Sequence, residues 1–265
     1  MKMATQVEEG YVGNITSDQE KKLQSFWLLL LFACDYETGN LSDTLKSASV
    51  QSAGRRFSLL GRTESNMSTS DENMADFKTA ISNFLTQLGS SKKEVSKVMI
   101  DLNQMPPEDL RRALYIMLKQ EHPDSLALRF LRARKWNVSK AFEMFILAIT
   151  WRHKEIGVDE KVLPYGESHE AERCRSENAA EQKKGDDFMK QFRLGKHFAH
   201  GRDALGRPIG MVRVRLHQPG TQSEEQLERF IVHVLETTRL VLIPPVETSV
   251  SLNPLFFLGI GLGTH

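Results

Sequence analysis

The chain has 265 residues, enough for one or two domains, and its 35 Lys and Arg balance 34 Asp and Glu to a net charge of +1. That balance gives no global electrostatic case for nucleic acid or for a membrane, so any basic patch has to be argued locally. Its two cysteines, Cys34 and Cys174, lie far apart in unlike contexts. A disulfide framework is therefore not expected, a reduced intracellular protein is, and no Cys/His cluster has metal-ligand spacing. Val7-Glu8-Glu9 is acidic where a secretory signal needs a basic start.

The first helix is expected from Ser17 to about Cys34. Thr16 or Ser17 can cap it, and Asp18 and Glu20 suit the positive end of its dipole. Its apolar run, Phe26 to Cys34, is far shorter than the ~20 residues of a membrane span. It reads instead as a buried helix face or a docking segment. From Thr38 to about Lys93, Ser, Thr, Asn and Gly dominate and periodicity fades, the composition of a disordered linker. Within it, Phe77 to Leu88 can form a short helix. Arg55-Arg56-Phe57-Ser58 has the form of a basophilic kinase site, with Ser58 as the phosphorylation candidate. Such short strings are also common in Ser-rich linkers.

A helical block follows. Pro106-Pro107-Glu108-Asp109 reads as a helix start, with Leu110, Leu114, Met117 and Leu118 as the apolar stripe. His122-Pro123-Asp124 breaks that helix, and Asp124 or Ser125 is expected to cap the next. This next helix carries Arg129, Arg132, Arg134 and Lys135 on an otherwise apolar background. So much charge on a short helix must face water, a partner or an anion. Asn137-Val138-Ser139 turns into a third helix lined by Ala141, Phe142, Phe145, Ile146 and Ile149. Three such helices make a small bundle.

Gly166 to Asp187 is polar, lacks periodicity and reads as a mobile connector. Gly195 to Pro208 reads as a strand and a turn, and Val212, Val214 and Leu216 alternate with Arg213 and Arg215 as a second strand, together a β-hairpin. The last helix is expected to open with a capping box of Ser223 and Gln226. Its stripe is Leu227, Phe230, Ile231, Val234 and Leu235, and Pro244-Pro245 stops it. Glu236 is expected to pair with Arg239 or Arg229. His197, His200 and His217 flank the hairpin and read as solvated strand ends rather than metal ligands. No H-E-x-x-H, G-x-S-x-G or P-loop pattern is present, so the chain is not read as an enzyme and no cofactor is expected.

Three of these blocks, in order, resemble the CRAL-TRIO lipid-transfer family. They are the Leu-rich basic helix with its Trp136-Asn137-Val138 turn, the hairpin Gly201-Arg202-Asp203-x-x-Gly206-Arg207-Pro208, and the final helix running into Pro244-Pro245-Val246-Glu247-Thr248. The opening Gly10-Tyr11-Val12-Gly13 and Gln19 to Trp27 resemble fungal members, the phosphatidylinositol transfer proteins. The resemblance implies an α/β fold, mostly α in this chain. A small N-terminal helical bundle would precede the first hairpin and helix of an incomplete CRAL-TRIO lipid-binding domain. The implied boundaries are an N-terminal helix at 1–37, the linker at 38–93, the helical domain at 94–157, a partial lipid-binding domain at 188–248 and a divergent tail at 249–265.

It implies a phospholipid, with phosphatidylinositol foremost, as the partner, and a cytoplasmic protein that meets membrane surfaces transiently and peripherally, without nucleic acid. The headgroup role falls on Arg134 and Lys135. A guanidinium grips phosphate oxygens in pairs and an ammonium adds a compact charge. The same two cations also suit a helix C-terminus, whatever they bind. Arg129 and Arg132 are expected to meet acidic neighbours or bare surface. Beyond Thr248 the text does not align to the family, which reads as a truncation. It leaves open an interaction protein that docks through its helical block and apolar tail and transfers no lipid.

Overall fold

A computed structural model describes residues 8–34, 70–119 and 121–252. Ser58, most of the expected linker and residues 253–265 lie outside the described residues. Two compact units are present, one of residues 7–150 and one that takes in residues 151–265.

Among its described residues the first unit has the helices α1 (Ser17–Ala33), α2 (Ser70–Gln87), α3 (Lys92–Asn103), α4 (Pro107–Leu118), α5 (Pro123–Ala133) and α6 (Val138–Thr150). Thr16 caps α1, its hydroxyl accepting from the Gln19 amide while the Gln19 side chain accepts from the Thr16 amide. The apolar run of α1 is a buried face, with Leu23, Phe26, Leu29, Leu30 and Ala33 all inside. Phe26 meets Phe142 and Phe145 of α6 edge-on, at ring-centre distances of 6.5 and 5.8 Å, and Phe145 meets Phe130 of α5 at 5.1 Å. The N-terminal helix is thus part of the same core as the helical block.

That core also takes Ile81 and Leu85 of α2 and Val95, Val98 and Leu102 of α3. Residues 70–87 and 92–93 are therefore helical where the composition reads as linker. Their apolar residues are sparse but fall on one side, and Ser91 opens α3 with a full capping box to Glu94. Burial pushes the Cys34 thiol up to about 12, against the pull of Arg111. Cys34 is thus an inert core residue rather than a nucleophile.

The second unit starts with two π-helical turns, Trp151–Ile156 and Val158–Val162. There follow α7 (Gly166–Arg173), α8 (Ala179–Arg193), β1 (His197–Arg202), β2 (Pro208–Val212), α9 (Glu224–Leu240) and β3 (Val250–Leu252). The stretch read as a connector is the helix pair α7–α8. It shows no apolar stripe because charge and backbone contact do the packing. The Glu170 carboxylate, 1% exposed, accepts from Arg173 at 2.9 and 3.0 Å and from Arg229 of α9 at 2.8 Å. Gly185 lets α8 lie against the α7 backbone, where an added Cβ would come within 2.7 Å of the Cys174 nitrogen.

A second charged knot holds Arg152, 5% exposed. Its guanidinium donates to Asp159 at 2.8 and 2.7 Å and to Glu236 at 2.6 and 2.9 Å. Burial alone would lower its pKa, but those hydrogen bonds hold it above the ordinary range. Glu236 also reaches Arg239 at 3.9 Å, as expected, while Arg229 is taken by Glu170. The principal partner of Glu236 is Arg152, far off in sequence.

The sheet runs β1-β2-β3. The hairpin is present: β1 pairs antiparallel with β2, His197 opposite Val212 and Ala199 opposite Gly210, with a bulge before Arg202. The second strand ends at Val212, earlier than its alternation implied. Val214–Leu216 is a 3₁₀ turn instead, following the Arg213 amide, which still bonds across the hairpin to the Lys196 carbonyl. β3 pairs parallel with β2, Ile209 opposite Val250 and Met211 opposite Leu252. So the text beyond Thr248, read as divergent, contributes a strand, and β2-α9-β3 is a parallel crossover unit.

On α9 the expected stripe divides. Phe230 and Val234 pack with Phe188 of α8, and Val232 packs with Val158 and Val162. Ile231 and Leu235 stay 48% and 62% exposed. Ser223 caps the helix by accepting from the Gln226 amide. The reciprocal half of the box is absent, because Asp187 accepts from the Ser223 amide at 3.1 Å and the Gln226 side chain is buried.

Three measurements test these contacts. Gly185→Ala is expected to cost about 1–3 kcal/mol in urea unfolding, since the helices must part. Arg152→Met should cost about 3–5 kcal/mol by removing the cation between the Asp159 and Glu236 carboxylates, and an unchanged midpoint would show the knot to be dispensable. His197 is partly buried over Gly210, and burial lowers its pKa in the fold. Below about pH 6.5 the unfolded chain takes up a proton that the folded chain refuses. Stability is thus expected to fall as the pH drops through that value, and His197→Gln should flatten this part of the profile.

Candidate functional site

The basic helix α5 resolves into separate jobs. His122, not Asp124 or Ser125, is its cap, the Nδ1 accepting from the Asp124 amide at 3.1 Å with Pro123 in the first turn. Asp124 is occupied elsewhere, as its carboxylate accepts from Trp27 Nε1 of α1 at 2.8 Å. Arg129 donates to Glu121 at 2.7 Å, an acidic neighbour as expected. Arg132 does something composition could not tell: it donates to the Gly10 carbonyl at 2.8 Å and lies 3.8 Å above the Tyr11 ring. Gly10, at φ +88°, packs so close that an added Cβ would meet the Trp136 ring at 3.1 Å. The basic helix thereby straps the N-terminal turn to its own end.

Arg134 and Lys135 come next. Lys135 and Trp136 both have positive φ, 50° and 64°, which ends α5 and starts the turn that Asn137 closes by accepting from the Lys140 amide at 2.9 Å. Both basic side chains are exposed. Arg134 makes a 3.3 Å hydrogen bond to the neighbouring Ala133 carbonyl and lines a depression of about 230 Å³. Lys97 of α3 and Lys140, Glu143, Met144 and Leu147 of α6 line it too. Lys135 is not among these residues. The structure therefore places Arg134 with two cations from other helices rather than with its neighbour in sequence. Lys97 was hidden to the sequence reading because no motif ties it to Arg134.

The depression holds one carboxylate, Glu143, which accepts from Lys97 at 2.7 Å. Asp101 lies near the same pair, and burial raises its pKa while Lys97 lowers it. Glu94, close to Lys140, is held below the usual carboxylate range by its hydrogen bonds from the Ser91 backbone and side chain. Two or three basic side chains around a small apolar floor can bind an anion. The set contains no nucleophile paired with a base.

The hairpin motif is structural. Asp203 Oδ1 accepts from the amides of Leu205 and Arg207, and Oδ2 accepts from Arg207 Nε at 2.6 Å. Arg202 donates to the Gly206 carbonyl and to the Val241 carbonyl just past α9, at 2.8 and 2.7 Å, tying the turn to the helix end. His200 and His217 are exposed. Among the described residues no three His, Cys, Asp or Glu side chains converge as metal ligands. No described helix is long and apolar enough to cross a membrane.

Comparison with known proteins falls on the same two regions. Residues 77–147 match the CRAL/TRIO N-terminal domain and residues 192–252 match the CRAL/TRIO domain. The second match runs through β3, past the point where the sequence reading lost the family. A CRAL-TRIO domain-containing protein of Schizosaccharomyces pombe is 43% identical over 147 residues, covering 56% of this chain and 30% of that protein. A phosphatidylinositol transfer protein of Eremothecium gossypii is 29% identical over 256 residues, covering 91% of this chain and 56% of that protein. The chain thus spans between about a third and a little over half of these relatives' length. The chain thus carries, in order, a region that matches the CRAL/TRIO N-terminal domain and a region that matches the CRAL/TRIO domain.

Proposed function

We propose that this chain takes part in binding a phospholipid and moving it between membranes, with phosphatidylinositol as the lipid. The observation that carries the reading is the likeness, over 91% of this chain, to a protein named as a phosphatidylinositol transfer protein. On this reading it acts by binding rather than by catalysis, as a cytoplasmic protein that touches membranes peripherally. Arg134 and Lys135 hold the headgroup. Both are exposed at the end of α5, and Arg134 shares its depression with further cations. The guanidinium supplies paired hydrogen bonds to phosphate oxygens and the lysine a mobile point charge.

The test is transfer of labelled lipid between vesicles. Phosphatidylinositol is expected to move faster than phosphatidylcholine, and Arg134→Ala with Lys135→Ala should reduce that preference by about tenfold, the weight of one charge-assisted hydrogen bond. An unchanged preference would remove these residues from the headgroup. A second reading, docking on a membrane or partner without transfer, is favoured by the exposure of Ile231 and Leu235 on α9. Vesicle binding with no lipid extracted would select it.

A further inference from the structure

The depression on the helical unit has a composition that the motif-based assignment does not explain. Lys97 comes from α3, Arg134 from the end of α5 and Lys140 from the first turn of α6, and all three are exposed. Met144 is half-buried and Leu147 is 38% exposed, giving the depression an apolar floor. Its volume of about 230 Å³ is below the ~300–1,000 Å³ of a pocket that swallows a whole small molecule. It suits a headgroup-sized anion whose charged end meets the rim while its less polar end rests on methyl and thioether groups.

The carboxylates nearby are largely engaged. Glu143 is bonded to Lys97, and Glu94 accepts from the Ser91 amide and hydroxyl. Asp101 lies beyond, with its pKa raised by burial. Lys140 and Arg134 make no ion pair among the described residues. Their charge is open to an incoming group, and Lys97 can turn from Glu143 to share it.

We propose that Lys97, Arg134 and Lys140 form a site for a phosphate monoester on a polyol ring, with Lys97 and Lys140 as binding residues in addition to those of the sequence motif. The proposal deepens the headgroup reading and rests on it for Arg134. The ring and phosphate could come from a lipid or from a free inositol phosphate, so the experiment separates the two.

Binding of the full chain would be measured to a soluble inositol bisphosphate, and to phosphatidylcholine vesicles with and without a phosphatidylinositol monophosphate. Lys97→Gln with Lys140→Gln is expected to weaken binding by about tenfold or more, since charge-assisted hydrogen bonds to phosphate are lost. Glu143→Gln should act the other way and tighten binding by about fourfold, the Coulomb weight of one nearby charge in water. A variant that merely loosened the fold would not bind more tightly. Lys183→Gln, at an exposed position on α8, should leave binding unchanged.

If vesicle and soluble binding shift together, the ligand is a lipid headgroup. If only the soluble probe binds and follows the variants, the site stands with a free phosphate as its ligand. If the Lys97/Lys140 double variant binds both probes like the wild type, or the wild type binds neither, the proposal falls. Phosphatidylinositol transfer that persists in that double variant would then show the transfer reading to be sound without this site.

Discussion

Two consecutive residues in the left-handed region, Lys135 and Trp136, set the geometry of the helical unit. For residues other than glycine this conformation costs about 1–2 kcal/mol each. The cost is offset locally. The Trp136 amide donates to the Leu131 carbonyl at 2.7 Å, and the Lys135 amide donates to the Arg132 carbonyl at 3.0 Å. The Trp136 ring covers Gly10, and Asn137 caps the helix that follows. The turn reverses the chain within a few residues and so brings Lys140 beside Arg134. Without it, neither the strap on the N-terminal turn nor the shared basic rim would exist. The Trp-Asn-Val signature is thus a folding device that places Lys140 beside Arg134.

The second unit solves a different problem. α7 has almost no apolar side chain to offer α8, whose Phe188, Met189 and Phe192 pack with α9, so the two helices meet at Gly185 and through the Arg173–Glu181 pair, while Glu170 ties α7 to Arg229 of α9. Arg152 plays the matching part for the π-helical turns and α9. Buried ion pairs of this kind add little net stability over well-packed apolar residues, yet they are costly to break from one side. They fix which helix faces which, and α9 is thereby committed to α8 through Phe230 and Val234 while Ile231 and Leu235 stay open.

What could be read from the sequence follows from how each element is held. α1, α4, α5 and α6 bury stripes at helical spacing and were legible, as was the hairpin, whose turn is written in Gly201, Asp203 and Gly206. α7 and α8 were not, because a Glu–Arg–Arg knot and a backbone contact at a glycine leave no hydrophobic period. α2 was legible only as the short helix expected from Phe77 to Leu88, and α3 was masked by its polar face, although Ser91 and Glu94 spelled a helix start. β3 is only three residues long, Val250–Leu252, and its place depends on β2 rather than on its own text. The residues of the basic depression divided in the same way. Arg134 sits in a motif, whereas Lys97 and Lys140 become its neighbours only after three helices have packed.

The carboxylate inside the basic depression is the feature that decides what the site can hold. An exposed lysine samples many rotamers, and fixing it costs up to about 2 kcal/mol of side-chain entropy. Glu143 keeps Lys97 at the rim at 2.7 Å and lessens that cost, though on the proposed reading the ammonium still has to turn from it to share an arriving anion with Arg134 and Lys140. The same carboxylate repels that anion. On the proposed reading a monoester, near two negative charges at neutral pH, meets about twice both the attraction of the three cations and the repulsion of Glu143 that a singly charged diester meets. Placing an acid among the bases therefore lowers the attraction for every anion in the same proportion, and the net pull of the rim still grows with the anion's charge. On that reading the rim holds a phosphate monoester more strongly than a singly charged diester, which it still attracts.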